Sequence, residues 1–283
     1  MKFGTFIARA RGDAIVDDVR NAEAAGFESV WIADHVIMPT HTECAYPYSS
    51  DGRFPAPPDT PFLDPLMTLA YAAAGTSKIR LATGIFVLPM RNAIATAKAV
   101  ATLDVLSKGR VIFGVGVGWL KEEFAAMGAS FDDRALRTRE YLELMKELWS
   151  KDSPVYKGKT VQTEGMKFMP KTVQQPHPPI VFGGTTEPSL KRAVRLGDGW
   201  YGIAHSLEQA RAMVERLREH MRALNRTRPL ELTISLRTGK PLTLDDMRRL
   251  AELGIDRALV GFPLKALDAA EMSRFRTDVM KKM

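Results

Sequence analysis

The sequence predicts an α/β chain folded as a single (β/α)8 TIM barrel spanning residues 1–283. Two observations carry this prediction. Strand-like and helix-like segments alternate eight times, and the strand-like segments are apolar almost throughout instead of alternating with polar residues. Strands apolar on both faces belong to a parallel sheet covered by helices, and eight such units in a chain of this length close into a barrel. The competing arrangement is an open, doubly wound sheet.

Each element has its own signal. Phe3 to Ala8 reads as the first strand, and Ile15, Val19, Ala22 and Ala25 share one face of a helix running from Asp13. Gly26 stops that helix, and Ser29 to His35 is the second strand. Val36 to Pro61 is a long, proline-rich polar loop, longer than an ordinary connection and suited to a lid over a site. Asp64 caps a helix with Pro65 in its first turn. Arg80 to Leu88 is the third strand, stopped by Pro89, and Asn92 caps a helix that ends at Lys108-Gly109. Val111 to Gly118 is the fourth strand, followed by a long helix from Asp132 or Asp133 anchored by Leu136, Tyr141, Leu144, Met145 and Leu148. Residues 155–171 break the rhythm, with a small hairpin over Val155 to Val161 inserted before the fifth strand. Four more units complete the count. Their strands are Pro179 to Gly184, Gly199 to Ala204, Leu230 to Leu236 and Ala258 to Phe262. Their helices are Pro188 to Leu196, Leu207 to Leu224, Leu244 to Leu253 and Leu267 to Met280.

Composition narrows the function classes. A hydrophobic content of 45% supports a large packed core. No apolar run approaches the ~18 residues that span a bilayer, and the start, Met1-Lys2-Phe3-Gly4, enters strand-like sequence, so neither membrane association nor a signal peptide is expected. Cys44 is the only cysteine, which excludes a disulfide framework and points to a reducing cytoplasm. The net charge of +7 is spread along helices and not clustered, a balance that suits an anionic small molecule better than nucleic acid.

Chemistry concentrates after the strands. Asp34 and His35 follow Val30-Trp31-Ile32 at the carboxyl end of a buried strand, the end at which parallel α/β proteins bind ligands. Gly114-Val115-Gly116-Val117-Gly118-Trp119 departs from the dinucleotide-binding fingerprint, because Trp119 stands where its third glycine is needed; these glycines instead permit close approach of backbone or ligand. Gly183-Gly184-Thr185 joins a strand to a helix start whose amides favour an anion such as phosphate, although the Glu187 carboxylate competes for the same amides. His35, His41 and Cys44 lack a fourth partner for zinc, so no metal is expected. No nucleophile elbow or Walker motif is present.

Together these residues resemble the luciferase-like monooxygenase superfamily, in its coenzyme F420-dependent oxidoreductase branch. The resemblance is carried by Ala22 to His35, Asp64-Pro65-Leu66, Lys78 to Gly84, Pro89-Met90-Arg91, Ala101 to Arg110, Gly114 to Phe124 and Pro179 to Trp200. It implies F420, or alternatively FMN, at the carboxyl face of the barrel. Asp34 and His35 would approach the ring, Thr83-Gly84-Ile85 would lie beneath it with a bulge and a non-proline cis bond at Gly84–Ile85, Gly183, Gly184 and Thr185 would take the phosphate, and Gly116 and Trp119 would complete the cofactor site. It further implies hydride transfer with a small organic substrate, His35 as the proton donor or acceptor, and a homodimer or larger assembly. The alternatives are an FMN-dependent monooxygenase using oxygen and a non-catalytic flavin-binding protein. The sugar-phosphate dehydrogenases of this superfamily carry a catalytic glutamate where Trp119 stands here, which argues against a sugar-phosphate substrate. Glu122 and Glu123 follow about one helical turn later without an assigned role.

Overall fold

A computed structural model describes residues 1–7, 12, 14–49, 51–261 and 267–283. Eight parallel strands form a closed ring. In ring order they are β1 (Lys2–Phe6), β2 (Ser29–Ile32), β3 (Arg80–Thr83), β5 (Val111–Gly116), β8 (Ile180–Gly183), β9 (Gly199–Ala204), β10 (Glu231–Leu236) and β11 (Arg257–Val260), which returns to β1. Each pair is in parallel register, for example Val30 opposite Leu81 and Val181 opposite Gly199. The extra strand β4 (Phe86–Val87) extends the third position along β5, and β6 (Tyr156–Lys157) pairs antiparallel with β7 (Gln162–Thr163) in the insertion before the fifth barrel strand.

The helices wrap the ring: α1 (Ile15–Ala25), α2 (Pro65–Gly75), α3 (Ala93–Leu106), α4 (Lys121–Ala126), α5 (Arg134–Ser150), α6 (Glu187–Leu196), α7 (Leu207–Ala223), α8 (Leu244–Glu252) and α9 (Ala269–Asp278). Their starts follow the chemistry of the capping residues. The Asp64 carboxylate accepts from the amides of Leu66 and Met67 at 3.0 Å, and Asn92 accepts from Ala95 at 3.0 Å, each worth about 1 kcal/mol. No helix of the described residues is long and apolar enough to cross a membrane.

Two apolar layers hold the barrel. One lies between strands and helices and includes Val19, Leu69, Val100, Leu144, Trp149 and Val214. The other fills the interior with Phe6, Trp31, Ala82, Ile112, Val181, Tyr201 and Leu259, so the barrel is solid below the site. Beneath this plug Arg257, fully buried, is paired with Glu28 at 2.8 Å and Glu231 at 2.5 Å.

Several boundaries differ from the sequence expectation. The second strand ends at Ile32, so Asp34 and His35 stand beyond it on the loop. The third strand does not run unbroken to Leu88: it is interrupted at Gly84–Ile85, where the expected non-proline cis peptide bond is present, and Leu88–Met90 forms a 3-10 turn. The interruption tracks with packing: a Cβ on Gly84 would lie 2.9 Å from the Trp31 ring. The fourth strand ends at Gly116, and the short helix α4 follows, which no capping residue announces. Ala8, Asp13 and Phe262, the expected ends of the first strand, first helix and eighth strand, lie outside the described residues.

Two of the fourth-strand glycines serve packing. A Cβ on Gly114 would sit 1.9 Å from the Thr83 carbonyl oxygen, and one on Gly116 would sit 2.0 Å from Ile85 Cδ1. The Thr83 hydroxyl donates to the Gly114 carbonyl at 2.6 Å, locking the two strands together. Because the obstacle at Gly114 is backbone, it cannot swing away. Gly114→Ala is expected to destabilise the fold by at least ~1–3 kcal/mol, read as a lower urea midpoint.

Candidate functional site

The carboxyl ends of the strands open into a cavity of about 540 Å³. Its floor is Gly84–Ile85 with Tyr201 and Ile203 of β9. One wall holds Asp34 and His35. Asp34 is buried and bridges two segments: Oδ1 is 2.6 Å from Arg91 Nη2, and Oδ2 accepts from the Val87 amide at 2.8 Å. Burial pushes its carboxyl up to about 6, against the opposing pull of Arg91 and the Val87 amide. The folded protein therefore holds a proton that the unfolded chain, titrating near 3.8, has released. Asp34 thus contributes a loss of stability as pH rises from 3.8 to about 6, flat above that window. In Asp34→Asn this component, on the order of 1–3 kcal/mol, is expected to vanish from urea midpoints measured across the same range.

His35 is fixed from the opposite direction. Its Nδ1 lies 3.0 Å from Oε2 of Glu123 on α4, and Oε1 of the same carboxylate accepts from the amides of Val36 at 2.6 Å and Ile37 at 3.4 Å. Both side chains are buried. With Nδ1 engaged, Nε2 is the ring nitrogen left for the cavity. The neighbouring Glu122 grips the loop further on, accepting from the Thr42 hydroxyl at 3.0 Å and the Glu43 amide at 2.8 Å. Burial opposes its ionisation, but these donors outweigh it and hold its carboxyl down at about 2.

The loop between β2 and α2 folds over the site and lines it with aromatic rings. Phe62 and Phe54 stand edge-on to His35 at 4.9 and 5.1 Å, and Trp119 does so at 6.2 Å. Phe54 stacks on Trp119 at 5.7 Å, and Tyr46 meets Trp119 edge-on at 5.1 Å. This wall is largely aromatic, suited to a flat or hydrophobic guest.

The far side of the mouth is basic. Thr186, Ser189 and Arg192 from the start of α6 line it, with Arg134 of α5 and Arg237 after β10. Burial and the charge of Arg134 both hold the Arg192 guanidinium below its ordinary range. Glu187 is turned away, paired with Arg216 at 2.7 Å and His220 at 2.8 Å, so its carboxylate does not occupy the mouth. The amide of Gly184 is also committed, donating to the Tyr201 carbonyl at 3.1 Å. An anion here would be met by hydroxyls and guanidinium groups in place of that amide.

Of the residues singled out in the sequence, Asp34, His35, Gly84, Ile85, Trp119, Gly183 and Gly184 line the cavity. Thr83, Gly116 and Thr185 are not part of its lining. Thr83 and Gly116 instead set the approach of β3, Ile85 and β5. His41 is exposed and His205 points Nε2 to the Tyr48 carbonyl at 3.2 Å. Among the described residues no three His, Cys, Asp or Glu side chains are grouped to hold a metal ion. Sequence reasoning missed the role of Glu123, the partnership of Asp34 with Arg91, the three arginines and the loop aromatics. Four aromatic residues, Tyr46, Tyr48, Phe54 and Phe62, in an otherwise polar loop were a usable signal for the last of these.

The sequence pattern of luciferase-like monooxygenases matches residues 1–272. This chain belongs to that family. An uncharacterised protein of Mycobacterium tuberculosis is 35% identical to this luciferase-like chain over 261 residues, 92% of this chain and 91% of its own length. An F420-dependent glucose-6-phosphate dehydrogenase of Kineococcus radiotolerans is 30% identical over 253 residues, 85% of this chain and 69% of its own. An FMNH2-dependent dimethylsulfone monooxygenase of Pseudomonas putida is 31% identical over 156 residues, 54% of this chain and 43% of its own. Relatives of this luciferase-like protein therefore include users of F420 and of FMN.

Proposed function

We propose that the protein is a cytoplasmic F420-dependent oxidoreductase that moves a hydride between the deazaflavin and a small, largely apolar organic substrate. The observation that carries the reading is His35, a proton-handling side chain anchored by a buried carboxylate at the edge of an aromatic-walled cavity. The residues present fit a planar cofactor with an anionic tail. Gly84–Ile85 makes a smooth floor, the Gly183–Gly184 turn has no room for side chains, and Arg134, Arg192 and Arg237 converge on one end of the mouth. When bound, the deazaflavin supplies the hydride chemistry. The chain supplies the rest. Thr186, Ser189 and the arginines hold the anionic end, Asp34 and its Arg91 partner stiffen the segment beside the ring, and the aromatic loop excludes water. His35 Nε2 gives or takes the proton that accompanies reduction or oxidation of the substrate. Trp119 stacked on Phe54 supports an apolar substrate over a sugar phosphate.

The F420-dependent relative aligns over 85% of this chain against 54% for the FMNH2-dependent one, which favours the deazaflavin. The competing reading is an FMN-dependent monooxygenase, supported by the latter relative. Titration of both cofactors into apoprotein, followed by turnover with and without oxygen, separates the two. Tighter deazaflavin binding with oxygen-independent turnover is expected; micromolar FMN binding with no deazaflavin binding would reject the proposal.

The same reading includes a homodimer. Ala72 and Ala73 of α2 are core residues, yet Met67 and Tyr71 on α2 and Ile94 and Leu106 on the adjacent α3 are exposed. Light scattering is expected to give twice the chain mass, and a monomer mass across concentrations would remove this part.

A further inference from the structure

We infer that Glu123 is the positioning residue of His35, dictating which imidazole nitrogen carries the proton and leaving the Nε2 lone pair to face the substrate. The inference rests on the proposed role of His35 as the proton-handling group and deepens it.

The Glu123 carboxylate is 2% exposed and has three protein neighbours. Oε1 faces two backbone amides, Val36 at 2.6 Å and Ile37 at 3.4 Å, which can only donate. Oε2 faces His35 Nδ1 at 3.0 Å. A carboxylate only accepts, so Nδ1 must carry a hydrogen, and the single proton of a neutral imidazole is thereby placed on Nδ1. The remaining lone pair is on Nε2. The ring is also packed edge-on against Phe54 and Phe62, contacts that oppose a turn exchanging its nitrogens. The arrangement matches the general device by which a buried acceptor fixes the tautomer and orientation of a working histidine.

A single substitution inverts the pattern with little change of shape. In Glu123→Gln the side-chain oxygen must take the Oε1 position, because the amides of Val36 and Ile37 need an acceptor there. The NH2 group then faces Nδ1, which has to become the acceptor, and the ring proton moves to Nε2. The loop anchors survive while the nitrogen facing the cavity changes from acceptor to donor.

The test uses purified protein labelled with 15N-histidine, recorded without cofactor at a pH where the imidazoles are neutral. The chain has five histidines, and His35 is assigned by the signal lost in His35→Gln. The expected result is Nδ1–H for His35 in the wild type and Nε2–H in Glu123→Gln, with kcat lowered ~10–100-fold and KM within about threefold. A wild-type ring protonated on Nε2, which needs no variant to detect, would overturn the inference. So would an unchanged tautomer in a folded Glu123→Gln. Inversion of the tautomer with turnover unaltered would instead overturn the proposed role of His35 in the reaction, so the two failures are distinguishable.

Discussion

His35→Ala is expected to lower kcat by about two orders of magnitude while the cofactor Kd stays within about tenfold of the wild type. The contrast follows from two separate anchors. The anionic end of the cofactor is assigned to the Thr186, Ser189 and Arg192 side of the mouth, whereas His35 stands on the opposite wall beside the loop aromatics. Removing the imidazole costs binding about 1 kcal/mol, one hydrogen bond, and leaves the anion contacts in place. It removes the whole of the proton transfer, which a positioned acid or base accelerates by ~100-fold or more. A side effect has to be separated out. The Glu123 Oε2 atom loses its partner in a buried place, which destabilises the fold by about 1–3 kcal/mol. Kinetics should therefore be measured well below the melting temperature of the variant, with Kd from cofactor fluorescence and kcat from a verified substrate. Near-wild-type kcat would make His35 a structural residue and remove the central assignment.

Gly184→Val should give the reverse signature, a cofactor Kd raised at least ~100-fold with a comparatively preserved kcat at saturation. Gly184 has φ +124°, a backbone conformation that residues with a Cβ rarely adopt, and an added Cβ would lie 2.6 Å from Ser189 Oγ and 2.8 Å from its Cβ. The turn cannot shift to relieve this. Its amide donates to the Tyr201 carbonyl at 3.1 Å, and its carbonyl accepts from the buried Trp200 indole at 2.8 Å. Backbone strain of about 1–3 kcal/mol and overpacking of similar size therefore fall on Ser189 and the start of α6, where the anionic end is assigned. A loss of about 2.8 kcal/mol in binding corresponds to the ~100-fold weakening. Gly183→Val is expected to act more through the floor, since its added Cβ would meet Ile85 Cδ1 and Cγ2 at 2.7 Å. If Gly184→Val folded and bound cofactor with unchanged affinity, the anion would not be held at this turn.

Much of the fold was legible because its signals are local. Asp64 and Asn92 cap their helices through amides two or three residues away, and both caps form as their sequence context implied. The eight apolar segments became eight barrel strands because each is apolar on both faces and separated from the next by a helix. Errors arose where a segment's end depends on a distant neighbour. The third strand was expected to run to Leu88 and the fourth to Gly118, and both end earlier, the third where Gly84 packs on Trp31. Helix α4 lacks a side-chain cap and is only six residues long, too short for periodicity to reveal.

By itself, then, the sequence determined the barrel, the end at which chemistry gathers, and the pairing of Asp34 and His35 with that end. Only the tertiary structure decided what those two residues are. Asp34 finds Arg91, and His35 finds Glu123 88 positions further along the chain. Nothing in the intervening sequence encodes that distance. Closing the ring brings the loop after β2 against α4 and the turn after β4, and only then can a carboxylate choose its donors. The same closure carries Tyr46, Phe54 and Trp119 into one wall and gathers arginines from three separate units at the mouth. Local hydrogen bonding and periodicity act over a few residues and can be read along the chain. Charge pairing and ring packing act through space, and the chain order holds no record of them until the barrel is closed.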